Sequence, residues 1–149
     1  QAVADTLARA DAEIREQKLA PAHETLEAVR DLLAELRQRS GVVVFSDHMN
    51  AYHAAMEHVL TDGPALLAKP GGWMAMAAQV GVLEYLSQRL SSQAPAALSA
   101  DAEFTTGVKA VAASVTALKS AVMAQDAAAT REALGKLKPP YSRLFLKFG

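Results

Sequence analysis

DAEFTTGVKAVAASVTALKSAVMAQ, residues 101–125, is the stretch of sequence that decides the fold. Its large apolar residues recur at steps of three and four, which is the spacing of one face of an α-helix. They are Phe104, Val108, Val111, Val115, Leu118 and Val122. The stretch therefore predicts a long helix that buries one continuous stripe.

The same helical spacing extends in both directions along the chain, and strand-like alternation is almost absent. It predicts a weak N-terminal helix at about 3–18, then helices at 21–39, 46–60 and 73–90 and a last one that follows the N-cap Asp126. The connections are short, which favours antiparallel neighbours. We expect an all-α, antiparallel (up-and-down) four-helix bundle with an extra N-terminal helical segment, forming one domain over residues 1–149.

Three places interrupt this pattern. GVVVF, residues 41–45, is β-like but has no partner run, so we expect an extended connection that packs its side chains inward, followed by an N-cap at Ser46. Gly and Pro at 61–64 and 70–72 predict a loop with one helical turn at 65–68. Pro139 and Pro140 lie inside the last apolar stripe, where a helix either kinks or restarts.

Composition excludes several classes of function. The chain has 149 residues and no cysteine, which excludes disulfides, iron–sulfur clusters, cysteine-type zinc sites and thioether-linked haem. A net charge of −1 provides no basic field for nucleic acid. No apolar run is long enough to span a membrane. Hydrolase, P-loop, dinucleotide-binding and di-iron motifs are absent from the sequence, so we expect a protein that is not an enzyme.

The first residues indicate where the protein works. The chain begins Gln1-Ala-Val-Ala rather than with Met, so either the sequence was trimmed at this end or a leader was removed, and these residues are a plausible start after signal-peptide cleavage. The absence of cysteine is compatible with export. We therefore expect a periplasmic or otherwise exported protein.

The last fifty residues carry a family likeness. An alanine-rich helix leads through the corner MAQDAAA, residues 123–129, to a final helix that ends in YSRLFLKF, residues 141–148. This pattern resembles the C-terminal helix pair of the cytochrome c′ family, in which the final helix carries a Cys-x-x-Cys-His haem-attachment motif. The resemblance implies a four-helix bundle that often forms homodimers and usually lives in the periplasm, with a periplasmic protein as a further partner.

The resemblance also says where this chain departs from the family. It places Tyr141 and Leu144 at the two cysteine positions, Phe145 at the axial histidine and Phe148 at the trailing aromatic residue. Covalent haem, its axial ligand and the chemistry of that group therefore do not carry over. We expect these side chains, with Trp73 and Phe104, to fill the space of the haem, since an empty cavity costs stability, and the Tyr141 hydroxyl to need a hydrogen-bond partner.

A second group of residues could bind a metal. Met49, His53 and Met56 lie within about 60° of one another on the predicted helix 46–60. Thioether and imidazole ligands suit copper, especially Cu(I). His48 on the flank of this face and His23 on the preceding helix, which has Glu27 four residues later, are the further candidate ligands. The opposing interpretation is that the methionines fill the core and that His53 is a hydrogen-bonded histidine at its edge.

Two hypotheses about function follow. The first is a non-enzymatic, exported binding or scaffold protein similar to cytochrome c′ but without covalent haem or another cofactor. The alternative is a periplasmic copper-type metal-binding protein that uses the His/Met cluster on the helix 46–60.

Overall fold

The computed structural model describes residues 2–149, and every regular element in this range is an α-helix. The all-α class predicted from the sequence is confirmed. The helices are α1 (Ala2–Arg15), α2 (Leu19–Arg39), α3 (Phe45–Leu67), α4 (Gly72–Ser92), α5 (Ala96–Ser99), α6 (Ala102–Met123), α7 (Ala127–Gly135) and α8 (Lys138–Phe148).

The chain divides into two compact units, Gln1–Val44 and Phe45–Gly149. The first holds α1 and α2, and the second holds the remaining helices. The single domain expected over residues 1–149 stays a prediction.

The first unit is a helical hairpin. Residues 16–18 join α1 to α2, and a connection this short makes the two helices antiparallel neighbours. Pro21 is the third residue of α2, where a backbone N–H has no partner within the helix, so the helix accommodates the proline. Across the hairpin, the Arg9 guanidinium donates a hydrogen bond to the Thr25 hydroxyl (3.0 Å).

The second unit is a bundle-like packing of helices around one core. α3 packs on α4, α4 packs on α6, and α6 packs on α7 and α8, which in turn touch α3. The predicted stripe of α6 is buried along its whole length, as is the C-terminal stripe at Leu134, Leu137, Tyr141 and Leu144. The large residues that are wholly buried include Met49, Tyr52, Met56, Met76, Leu83, Leu90, Phe104 and Leu118.

Local signals set the ends of the C-terminal helices. The Asp126 carboxylate accepts hydrogen bonds from the backbone N–H groups of Ala128 and Ala129 (3.0 and 2.9 Å), which confirms the predicted N-cap. Asp101 caps α6 in the same way. Of the two predictions for the paired prolines, the restart is confirmed, because α7 ends at Gly135 and α8 begins with prolines in its first turn.

The predicted end of the third helix was wrong. α3 does not stop at Leu60 but continues through Gly63 and Pro64 to Leu67. Gly63 is buried, and a Cβ there would lie 3.2 Å from the Met76 methyl group, so the glycine allows α4 to approach closely. Tertiary packing thus overrides the tendency of Gly63 and Pro64 to end the helix. Pro64 itself is exposed near the end of α3.

The predicted connection between helices at the valine run is confirmed, but the prediction for its packing was wrong. Residues 42–44 are non-helical, but Val42, Val43 and Val44 are 49%, 66% and 37% exposed. Only Phe45 of this run packs against the core. Because α3 begins at Phe45, Ser46 lies inside the helix and is not its N-cap.

None of the helices found between residues 2 and 149 combines the length and the apolar character needed to cross a lipid bilayer.

Two glycines of α4 give a matched test of this packing. A Cβ on Gly72 would overlap the carbonyl oxygen of Leu66, whereas one on Gly81 would meet open space. We expect Gly72→Ala to destabilise the protein by about 1–3 kcal/mol through forced backbone movement. Gly81→Ala should stabilise it by about 0.5–1 kcal/mol through helix propensity. Urea unfolding followed by circular dichroism measures both changes in stability. Equal effects of the two substitutions would contradict the close approach of Gly72 to the Leu66 carbonyl oxygen.

Candidate functional site

The candidate site is the end of the second unit where α8 packs on α3 and α6. Tyr141 and Leu144, at the positions that the resemblance assigns to the haem-linking cysteines, are buried in the core. Phe145 and Phe148, at the assigned positions of the axial histidine and the trailing aromatic residue, pack against it. Side chains therefore occupy all four positions.

A buried hydrogen bond fixes Tyr141. Its hydroxyl donates to the backbone carbonyl oxygen of Met49 on α3, with an O···O distance of 3.0 Å. The two residues are 92 positions apart in sequence. The expectation that a tyrosine here needs a partner for its hydroxyl is confirmed. The bond ties the first turns of α3 to the start of α8.

Aromatic rings extend this contact. The Tyr141 ring lies 5.2 Å from that of Tyr52, 5.4 Å from the His53 imidazole and 5.9 Å from Phe145, measured between centroids. The His53 and Tyr141 planes are nearly parallel, at 6°. Ring pairs at these distances stabilise beyond the area that they bury.

A second aromatic group lies around Phe104 of α6. Phe104 meets Phe148 edge-to-face at 5.3 Å and Phe45 at 5.6 Å. Trp73, which was also expected to fill the interior, is partly buried and packs against the core. The end of the unit is thus closed by rings from α3, α6 and α8.

Tyr52 is a buried tyrosine of a different kind. Its side chain has no exposed surface, and among the described residues its hydroxyl has no well-formed hydrogen bond, although Ser114 is near enough to influence it. Burial raises the pKa of Tyr52 well above its ordinary value, so it stays a neutral phenol.

The predicted metal ligands on α3 lie partly in the core and partly at its edge. Met49 and Met56 are wholly buried in the hydrophobic cluster. The His53 side chain is 41% exposed, and its Nε2 lies 3.5 Å from a Glu57 carboxylate oxygen. The three therefore share a helix face as predicted, with the two sulfur-bearing side chains turned inward and the imidazole at the rim.

Glu57 also forms an ion pair with Lys138 of α8. The Lys138 Nζ lies 2.7 Å from the same carboxylate oxygen. The hydrogen bond from Lys138 lowers the pKa of Glu57, which therefore stays ionised at neutral pH. His53, Glu57 and Lys138 form a polar rim beside the aromatic group. The i, i+4 spacing of His53 and Glu57 is the part of this polar rim that the sequence indicates. The ion pair with Lys138 depends on the fold, because Lys138 lies on a different helix.

The remaining predicted ligands lie elsewhere. Arg89 of α4 donates a long hydrogen bond to His48 Nδ1 (3.4 Å). Burial, and to a lesser degree the Arg89 charge, lowers the pKa of His48, which keeps its imidazole neutral. His23 belongs to the first unit, where its imidazole and the carboxylates of Glu24 and Glu27 bring ligand atoms within 4.8 Å of one another on the exposed surface of α2.

A surface groove of about 270 Å³ lies between α6 and α8. Gly107 allows Leu144 of α8 to approach α6 closely here, since a Cβ on Gly107 would lie 2.8 Å from the Leu144 side chain. Its lining combines small and apolar residues with the Glu103–Lys147 ion pair and Arg143. The groove was not predicted from the sequence, because its two sides are about 40 residues apart.

Comparison of the chain with protein-family models, with curated proteins and with solved structures gives no match.

The two buried tyrosines give a matched prediction. Tyr141→Phe removes a buried hydrogen bond, and we expect a loss of about 1–2 kcal/mol in the free energy of unfolding. Tyr52→Phe removes a hydroxyl that is poorly bonded, so it should be close to neutral. Denaturant unfolding with near-ultraviolet circular dichroism measures both variants. A larger loss of unfolding free energy for Tyr52→Phe than for Tyr141→Phe would show that the Tyr141–Met49 hydrogen bond is not the stabilising contact.

Proposed function

We propose that this chain is a non-enzymatic, exported binding or scaffold protein, similar to cytochrome c′ but without covalent haem. The observation that carries the proposal is the buried hydrogen bond from Tyr141 to the Met49 carbonyl. Tyr141 stands at the position to which the resemblance assigns the first haem-linking cysteine. Its side chain is part of the core and occupies that position. A protein with its interior filled in this way acts through its surface.

The helix contacts of the second unit support the finer architecture. α3, α4, α6 and the α7–α8 pair touch in sequence order, and α8 returns to α3. Short connections between successive long helices favour an antiparallel, up-and-down four-helix bundle. On this proposal α1 and α2 are the extra N-terminal segment, which has no counterpart in the resembled pattern.

The residues at the assigned haem positions do not suit that group. Tyr141 and Leu144 have no thiol to form thioether links, and Phe145 has no ligand atom for iron. Their rings and aliphatic carbons pack into the interior of the unit. We infer that the family chemistry is lost while the bundle remains.

The surface of the second unit supports a role in binding. Its charged residues form ion pairs between helices, such as Glu84 with Lys119 (2.7 Å) and Glu57 with Lys138. Apolar side chains are exposed beside them on α4, where Met74, Val82 and Tyr85 are each more than half exposed. A contiguous apolar patch with a polar rim is a common feature of interaction sites, and these three residues would form such a patch on α4.

Haem titration tests this proposal. We expect purified protein to leave the spectrum of added haemin unchanged, with no shifted Soret band, because the filled interior leaves no space for the group. A myoglobin apoprotein titrated in parallel controls for active haemin. A one-to-one Soret shift in the wild-type protein would contradict the proposal.

Fractionation of the native host tests export, since the protein should appear outside the cytoplasm.

A second candidate function is copper binding on α3. The observation that favours it is the continuous helix from Phe45 to Leu67, which keeps Met49, His53 and Met56 on one face. Two thioethers and an imidazole are a Cu(I) ligand set. Binding would draw the buried methionine sulfur atoms toward the rim where His53 lies.

Cu(I) competition titration distinguishes the two candidates. If copper binding is the function, the wild-type protein should bind Cu(I) with a dissociation constant below about 10 μM, and His53→Ala should abolish this binding. His58→Ala is the matched control, because His58 lies on the same helix but pairs with Asp62 (2.8 Å). Weaker binding that survives His53→Ala would remove this candidate and leave the first intact.

A further inference from the structure

The groove between α6 and α8 combines an apolar lining with charged side chains. Its apolar part comes from Gly107 and Ala110 of α6 and from Leu144 and Phe148 of α8. All the residues that line it belong to the second unit, so the groove is a feature of that unit alone. At about 270 Å³ it is slightly smaller than the range of about 300–1,000 Å³ for pockets that hold drug-sized ligands, so it suits a smaller molecule.

The contacts along the groove fix where its charges lie. Lys147 of α8 pairs with Glu103 of α6. Leu144, three residues before Lys147, lies against Gly107, which is four residues after Glu103. The two helices therefore run antiparallel here, and Arg143 lies one helical turn away from the ion pair on the same side of α8. One part of the groove thus carries an ion pair and the other part an arginine.

Arg143 is a cation without a partner in the described part of the chain. No acidic side chain there pairs with its guanidinium, and no hydrogen bond or ring contact involves it. The Asp101 carboxylate, at the start of α6, is occupied by the N-cap hydrogen bonds of that helix and does not line the groove. The charged residues that do line it, Arg143, Lys147 and Glu103, leave one positive charge uncompensated.

We propose that this groove binds a small monocarboxylic acid with an apolar body. The guanidinium of Arg143 presents a planar fork of N–H donors, which can donate two parallel hydrogen bonds to one carboxylate. The apolar body then lies against Leu144 and Phe148, where burial removes its surface from water. One uncompensated positive charge matches one carboxylate. The Glu103 carboxylate repels a second negative charge, so a dicarboxylate or a phosphate dianion fits less well.

This inference rests on the proposed binding role and names a ligand class for it. The two can nevertheless fail separately, because carboxylate binding and haem binding are measured with different probes. A Soret shift would contradict the haem-less scaffold and leave carboxylate binding to be measured on its own. A failure to bind carboxylates would remove this ligand class and leave the result of the haem titration unchanged.

Titration of the full ¹⁵N-labelled chain with phenylacetate, followed by NMR, tests the proposal. We expect saturable shifts confined to the backbone amides of residues 103–110 and 143–148, with a dissociation constant below about 1 mM. Phenylacetamide keeps the ring but has no charge, and acetate keeps the charge but has no ring. Each should bind at least about tenfold more weakly, because each lacks one of the two contributions.

Two substitutions in the groove have matched controls outside it. Arg143→Gln removes the guanidinium and should raise the dissociation constant at least about tenfold, whereas Arg131→Gln, at an exposed arginine of α7, should leave it unchanged. Ala110→Leu fills the groove from an exposed position and should also weaken binding at least about tenfold. Ala117→Leu, two turns later on the same helix, is its control. Circular dichroism verifies that all four variants are folded.

Several results would overturn the proposal. The absence of saturable shifts would do so, as would equal affinity for phenylacetate and phenylacetamide. Unchanged binding in Arg143→Gln would show that the guanidinium does not hold the carboxylate. Equal losses in Arg143→Gln and Arg131→Gln would show a general attraction of anions to the surface, which falls with added salt, and no site in the groove.

Discussion

The buried hydrogen bond between the Tyr141 hydroxyl and the Met49 carbonyl is the contact on which the second unit depends. It joins the first turns of α3 to the first turn of α8, and so connects the beginning of the unit to its end. A polar group in an apolar interior is costly unless it is bonded, so the bond allows few alternative positions for α8. The apolar stripe of α6 is also buried along its whole length, but its contacts are less directional than this hydrogen bond.

This constraint explains why the aromatic residues are arranged as they are. With the Tyr141 hydroxyl fixed, its ring stands between Tyr52 and Phe145, and the His53 imidazole stacks over it from the rim. The flexible methionines Met49 and Met56 then fill the irregular space behind these rings. The same residues carry both functional hypotheses. Copper binding would have to disturb the packing that the scaffold proposal relies on.

Sequence reasoning was most reliable where one local rule decided the outcome. The period of α6, the Asp126 cap and the restart of a helix at the paired prolines all depend on neighbours within one or two turns. It was wrong where the deciding contact was distant. Gly63 and Pro64 predicted a loop, because the packing of Gly63 against Met76 of α4 leaves no trace in the local pattern. Residues 42–44 show the same limit, since β-propensity indicates extended backbone but not which side is buried. At the candidate site, the need of Tyr141 for a partner was predictable, whereas Lys138 as the partner of Glu57 was not.

The two units differ in how completely they bury their own apolar stripes. The second unit has at least four long segments, so each stripe has a neighbour to face. The first has two helices, and a pair of helices can bury only the flanks that face each other. Isolated helices of 14 and 21 residues are marginal in water, and most helical stability comes from tertiary packing. Leucines at heptad positions would add little to a hairpin that stayed alone. Their regular spacing is typical of a helix face that packs against another helical surface.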